Sequence, residues 1–197
     1  RKPFETVDSR LAWFVGIGTV PIGLLGLLLK KRIETDFRSL WVIGTALLVL
    51  GVVLWVVEKT AAHRKTLAEL SLRDALLIGL GQSLALIPGS SRSGTTITAG
   101  LMLGLKREDA ARYSFLLAIP ATTLAGLLQL KHLLKEGVQT DLVPVAVSTG
   151  VSFAVGFAAI WGLLRFVRQR SMVSFAIYRI ALGGLLFTLL MMGRLSP

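Results

Sequence analysis

Apolar residues fill this chain in long blocks, separated by short polar and basic stretches. Five blocks run close to 20 residues: about Leu11–Leu29, Leu40–Val57, Ala111–Leu130, Leu142–Phe166 and Phe175–Met192. As helices rising about 1.5 Å per residue, each covers a hydrocarbon core of about 30 Å, the shorter ones with help from snorkelling ends. Lys30-Lys31-Arg32 ends the first block sharply. Trp41 and Trp55 lie near opposite ends of the second, where interfacial aromatics belong. The pattern predicts an all-α, polytopic membrane protein with five transmembrane helices.

Between Asp74 and Leu105 the blocks shorten. Asp74–Ile87 reaches about 21 Å as a helix and Thr95–Leu105 about 16 Å, so neither spans well alone. Pro88-Gly89 breaks the first half. The simplest reading is one re-entrant helix–loop–helix over 74–105, its polar tip buried in protein or facing a water-filled cavity. Two short, distorted spans are the alternative.

Both readings keep the same parity. One side receives the N-terminal segment and the loops at 58–74, 106–112 and 165–172. Those carry Arg1, Lys2, Arg10, Lys59, Arg64, Lys65, Arg73, Lys106, Arg107, Arg112, Arg165, Arg168 and Arg170. The other side carries Lys30, Lys31, Arg32, Arg38, Lys131, Lys135 and Arg194. Arg92 and Arg179 are set aside as intramembrane candidates. The excess of Lys and Arg makes the first side cytoplasmic. The hairpin then enters from the cytoplasm with its tip pointing outward.

Composition agrees. The chain is 53% hydrophobic and only 17% charged, with a mean hydropathy of +0.71, too apolar for the surface of a soluble domain. A net charge of +11 would suggest nucleic acid in a soluble protein. Here the basic residues cluster at the ends of apolar blocks without aromatic platforms, so membrane phospholipid headgroups are the expected partners. With no cysteine, thiolate metal sites and disulfides are excluded. Arg1 to Arg10 reads as a polar loop, and a further piece is expected upstream of it. No sequence repeat is convincing, yet a re-entrant pair followed by three spans is an odd-numbered unit. A second copy would be inverted. Residues 1–197 are therefore read as one integral membrane domain, with 1–73 as the tail of a first repeat and 74–197 as a second.

The polar tip is Pro88-Gly89-Ser90-Ser91-Arg92-Ser93-Gly94-Thr95-Thr96. A charge at membrane depth costs roughly 2.5–3.5 kcal/mol on insertion scales, and no packing requirement calls for Arg92. Ser90 or Ser91 can cap the second half-helix. Its first turn then offers unpaired N–H groups and a positive dipole end, an anion site. Arg92 adds a planar fork suited to phosphate oxygens. Ser91, Ser93 and Thr96 add hydroxyls, and Gly94 lets a ligand approach the backbone. Gly89, Ser90, Thr95 and Gln82 complete the candidate binding set.

Small residues also pack helices, and Gly79, Gly81, Gly100 and Gly104 are read that way. His63 and His132 are expected on solvated basic loops. Glu58, Asp74 and Asp109 are expected in interfacial or capping roles. Tyr178-Arg179 is either an interfacial anchor or a supporting contact to the tip. No two carboxylates share an intramembrane helix face at i, i+3 or i+4 spacing. Neither an internal metal site nor a general base is evident near the tip.

The run Gly81-Gln82-Ser83-Leu84-Ala85-Leu86-Ile87 leading into PGSSRSGTT resembles the undecaprenyl-diphosphate phosphatase family, the bacitracin-resistance proteins. Pro88, Gly89, Ser91, Arg92, Ser93, Gly94 and Thr96 fill every fixed position of that family's P-G-x-S-R-S-G-x-T signature. Tyr113 to Pro120 and Phe175 to Arg179 look similar as well. The resemblance covers essentially the whole chain. It implies two inverted repeats and a hydrolase of the bacterial cytoplasmic membrane with its site towards the external face. The reaction removes the terminal phosphate of undecaprenyl diphosphate, recycling the cell-wall lipid carrier and conferring bacitracin resistance. It also implies a divalent cation, magnesium or calcium. The family's first signature, a glutamate pair followed by a serine- and histidine-containing loop, has no counterpart in these residues. About three helical segments and the metal ligands are expected from outside them.

On this reading Arg92, Ser91, Ser93 and Thr96 are the catalytic candidates and polyprenyl diphosphate the ligand. A homodimer is allowed for. The rival readings are a polyprenyl-phosphate lipid transporter and an inactive fragment of the phosphatase.

Overall fold

The computed structural model describes residues 6–135 and 142–195. The charge-count residues Arg1 and Lys2 lie outside them. Among the described residues eight α-helices follow in order: α1 (Val7–Leu28), α2 (Lys30–Glu34), α3 (Leu40–Thr60), α4 (Leu72–Ser83), α5 (Arg92–Met102), α6 (Arg107–Lys135), α7 (Leu142–Gln169) and α8 (Val173–Met191). Among the described residues no strand forms, and Lys65 and Leu105 make an isolated parallel bridge. Five helices, α1, α3, α6, α7 and α8, are long and apolar enough to cross a membrane.

Helix starts follow local capping chemistry. Thr6 and Ser9 form a capping box that begins α1 at Val7, so the supposed polar loop up to Arg10 is already helical from Val7 onward. Ser71 and Asp74 do the same for α4, which therefore begins before Asp74. Helix α6 extends to Lys135 and takes in position 132, whose backbone is helical rather than looped. The His132 side chain lies outside the described residues.

Two helix pairs touch at backbone distance. A β-carbon added at Gly79 of α4 would lie 2.2 Å from the Gly18 carbonyl oxygen of α1. Along α3 and α8, added β-carbons at Gly44, Gly51 and Gly183 would press on Phe187, Ile180 and Leu48 respectively. Small residues at these crossings let apolar helices approach where no solvent drives them together. Gly81 and Gly100 pack in the same way, against Ala99 and Ala110. Gly104 does not: an added β-carbon there meets nothing within 4 Å, and its φ of +85° turns the chain out of α5. Its role is the left-handed turn after the helix rather than packing. Its carbonyl accepts from Arg64 N–H and Lys65 N–H.

One end of the bundle is tied together by polar bonds. Glu58, closing α3 and 4% exposed, accepts through Oε1 from Arg107 Nε at 2.7 Å, Ser171 Oγ at 2.7 Å and Met172 N–H at 3.2 Å. Arg168 pairs with Glu108, and Arg10 donates to the Ala68 carbonyl at 2.8 Å. The loops that the charge count assigned to one side are thus joined at one end. His63 belongs to this end and is half-buried rather than solvated, its Nε2 lying 3.0 Å from the Glu58 carbonyl oxygen.

Outward faces are apolar. On α7, Phe153, Phe157 and Trp161 are 75%, 67% and 60% exposed, as expected where hydrocarbon replaces water as solvent. Helices α4 and α5, 12 and 11 residues long, fold back on each other with Gly81 against Ala99. Their junction lies beside Ile43 and Ala46, in the first two turns of α3 and most of that helix's length from Glu58.

Candidate active site

The break between α4 and α5 is built from residues that cannot continue a helix. After Ser83 the chain tightens through a 3-10 turn at Leu84–Leu86 and reaches Pro88, which lacks a donor. Gly89 has φ +86°, and a β-carbon there would lie 2.7 Å from the Ile43 carbonyl oxygen. Glycine is required twice over, for the dihedral and for the space. Ser91 also has positive φ, 61°, a strained conformation for a residue with a side chain. That geometry turns its Oγ back to accept from Gly94 N–H at 3.2 Å, while its carbonyl accepts from Thr95 N–H at 2.9 Å. The N–H groups of Arg92 and Ser93 are left without an acceptor among the described residues.

Beside this turn is a cleft of about 230 Å³ bordered by Gly89, Ser91, Ser93 and Gly94 from the tip, and by Arg179 and Tyr178 from α8. Apolar walls come from α3, α5 and α7, among them Leu54, Ile97 and Leu163. Arg179 is 7% exposed. Its Nη2 donates to the Gly89 carbonyl at 3.1 Å and reaches the Ala46 carbonyl at 3.4 Å. Its Nη1 lies 2.8 Å from where a β-carbon on residue 94 would stand, and its Nε is buried with no partner. Among the described residues no carboxylate pairs with this buried guanidinium, and its position against a helix N-terminus suits an anion.

The sequence candidates separate into groups. Ser91, Ser93, Gly89 and Gly94 share the cleft. Arg92 does not border it; the residue is half-buried, and its guanidinium has no hydrogen-bond or ion-pair partner among the described residues. Thr96 lies beneath the turn, 1% exposed, its hydroxyl 2.6 Å from Ser114 Oγ of α6. Ser90 is fully buried with an unpartnered hydroxyl and faces a groove against Trp41 and Thr45 of α3. Thr95 borders a third groove, with Leu50 and Leu77. Gln82 is sealed inside, both amide atoms unpartnered.

Arg179 is the residue that sequence reasoning left undecided. Its signal was an arginine inside the last apolar block, the same anomaly that singled out Arg92. What the sequence could not supply was distance: the two residues are far apart in the chain, and only folding brings α8 against the tip.

A divalent cation finds no donor set among the described residues. Among the described residues no three His, Asp or Glu side chains converge. Glu58 is engaged by three donors, and Asp74 by Lys65 and Ser71, both at the loop end of the bundle. The described residues do not fit the cation that the resemblance implies.

Among the described residues, five long apolar helices and a broken helical pair, with cationic and N–H groups gathered at the break, define a multi-pass membrane protein with a cleft beside that break. Residues 1–185 match the family described as bacitracin resistance protein BacA. The chain is 59% identical over its full length to an undecaprenyl-diphosphatase of Myxococcus xanthus (strain DK1622), covering 66% of that protein. It is 52% identical over 95% of its length to an undecaprenyl-diphosphatase of Nocardioides sp. (strain ATCC BAA-499 / JS614), covering 68% of it. Against an undecaprenyl-diphosphatase of Mycolicibacterium smegmatis the identity is 47%, over 96% of the chain and 70% of the relative. The chain belongs to the BacA family and spans about two thirds of the length of these curated relatives.

Proposed function

We propose that this chain serves the hydrolysis of undecaprenyl diphosphate to undecaprenyl phosphate and phosphate, the step that returns the cell-wall lipid carrier to use and underlies bacitracin resistance. It does so in the bacterial cytoplasmic membrane, with α4 and α5 as a re-entrant pair entering from the cytoplasmic side and the cleft serving the external face. The observation that carries this reading is Arg179: a buried guanidinium with no acidic partner, fixed by the Gly89 carbonyl against the first turn of α5.

In this reading the diphosphate enters the cleft beside Arg179 and the N–H groups of the α5 first turn, with Ser91 and Ser93 hydroxyls orienting its oxygens. Arg92, whose guanidinium is uncommitted, swings to the terminal phosphoryl group. A water oxygen forms a bond to the terminal phosphorus. The bond from that phosphorus to the bridging oxygen breaks, its electron pair leaving with undecaprenyl phosphate, and the water gives a proton to solvent. Negative charge shifts towards the bridging and peripheral oxygens during this exchange, and preorganised donors in a water-poor cleft stabilise it far more than water would. Ser91 and Ser93 orient rather than attack, since no base borders the cleft to activate them.

The test uses the chain reconstituted in vesicles with a polyprenyl diphosphate. Phosphate release that falls by about 10²-fold or more in Arg179→Ala and in Arg92→Ala supports the assignment. Release unaffected by both substitutions overturns it. Movement of intact lipid between leaflets without phosphate release would mark a carrier instead.

A further inference from the structure

Opposite the cleft, the α5 first turn makes a contact with α6 that the reaction does not itself require. Thr96 and Ser114 are 1% and 4% exposed, and their hydroxyl oxygens lie 2.6 Å apart. Thr96 Oγ1 is also 2.8 Å from the Arg92 carbonyl oxygen and 3.2 Å from that of Ser93. Either hydroxyl can donate across the 2.6 Å contact, but one arrangement uses both protons. Carbonyls only accept, so Thr96 gives its proton to them, and Ser114 donates to Thr96 Oγ1.

The two carbonyls matter because a peptide group is planar. The Arg92 carbonyl is rigidly joined to the Ser93 N–H, and the Ser93 carbonyl to the Gly94 N–H. Anchoring the carbonyls on one side of the turn therefore sets where those two N–H groups point on the other. Gly94 N–H is held by Ser91 Oγ, and Ser93 N–H has no acceptor among the described residues. From this geometry we infer that Ser114 is a positioning residue for diphosphate: through Thr96 it holds the first turn of α5 so that its free N–H faces the ligand. The inference rests on the phosphatase reading of the cleft. It also gives Thr96 a role behind the turn rather than on the ligand.

A merely structural hydroxyl pair between two helices would affect stability alone. The test therefore reads ligand affinity and local exchange, using the full chain in lipid nanodiscs with inorganic diphosphate as the probe. Ser114→Ala is expected to weaken diphosphate binding by about 10-fold, the equivalent of one lost hydrogen bond. It should also speed amide exchange in residues 92–96 while leaving α3 and α8 unchanged. Thr96→Val should do the same. The double variant should be no weaker than either single one, because both remove the same relay. Ser114→Thr should restore binding. If Ser114→Ala fails to fold, Ser114→Cys keeps the volume with only a weak donor and gives the same readout. Unchanged affinity, or losses that add in the double variant, overturn the inference. A wild-type chain that takes up no diphosphate overturns the phosphatase reading itself, a result visible before any variant is made.

Discussion

The guanidinium of Arg179 occupies the space that a β-carbon on residue 94 would need: its Nη1 lies 2.8 Å from that position. Helix α8 and the tip between α4 and α5 thus meet at a glycine, and the meeting point carries the charge. The same guanidinium holds the Gly89 carbonyl on the other side of the turn. One side chain from the last helix therefore braces the break and supplies its cation.

Gly94→Ala separates those two roles. The shortest contact falls on the far end of the Arg179 side chain, while Ser91 Oγ and Cβ, at 3.1 and 3.2 Å from the added β-carbon, need give only by a few tenths of an ångström. Alanine is also the better helix former by about 1 kcal/mol, so thermal stability should stay level or rise. The guanidinium, however, must move by a few tenths of an ångström or more. Misplacement of a charge-stabilising group on that scale is expected to lower phosphate release by up to about 10²-fold. Paired melting and phosphate-release measurements check this; full activity with an unchanged melting temperature would show that Arg179 need not sit against the turn.

Gly89→Ala should behave in the opposite way. At φ +86° an alanine is strained, at a cost on the order of 1–3 kcal/mol. Its β-carbon would also meet backbone, the Ile43 carbonyl oxygen at 2.7 Å, rather than a yielding side chain. Stability and activity should fall together, read as a lower denaturation midpoint in detergent alongside lost phosphate release.

Much of this was legible in the chain. The five spans follow from block length, because lipid selects strongly for continuous apolar runs. The broken pair follows from two short runs around Pro88-Gly89. The cleft was only half legible. Ser91, Ser93, Gly89 and Gly94 are contiguous, so a local motif found them. Arg179 comes from another helix, and Ser114 looks like any small residue on an apolar face until Thr96 is seen beside it. The start of α5 is legible too, since Ser91 is one of the two caps the tip offers, whereas α4 begins two residues before Asp74, where Ser71 acts as the cap. Gly104 was misread because its spacing from Gly100 matches a packing motif while its actual task is a positive φ.

Asp74 gives the loop end a dependence on acid. Burial pushes its carboxyl up, but the Lys65 ammonium and the Ser71 hydroxyl and N–H together hold it below the ordinary aspartate value of 3.8. A carboxyl with a lowered folded value stabilises the fold fully above the unfolded value and loses that contribution as pH falls through the folded one. Stability should therefore decline as pH drops below the ordinary aspartate range. Asp74→Asn should be less stable at neutral pH and should show a flatter decline. Melting temperatures from pH 7 down to about 3 test this; parallel curves would show that Asp74 contributes nothing to the acid limb.

Glu58 is where the loops converge, and its removal reports on the whole bundle. One carboxylate oxygen accepts from Arg107 beside the α5–α6 junction, and from Ser171 and Met172 before α8. Glu58→Ala leaves three donors unsatisfied, two of them at least partly buried. Hydrogen bonds to charged groups contribute about 1.5–3 kcal/mol each when deleted singly, but solvent reaches Arg107, whose side chain is 36% exposed. The expected loss is about 2–4 kcal/mol in total rather than the sum. Glu58→Gln keeps an oxygen for Ser171 and Met172 and loses only the charge on Arg107, so it should cost about half as much. Because these junctions hold the far ends of α5 and α8, faster amide exchange in Glu58→Ala should appear first near residues 103–108 and 170–174. The tip at residues 88–94 should be reached last. Exchange that accelerates uniformly along the chain would mean that Glu58 supports the fold as a whole rather than joining these two helices.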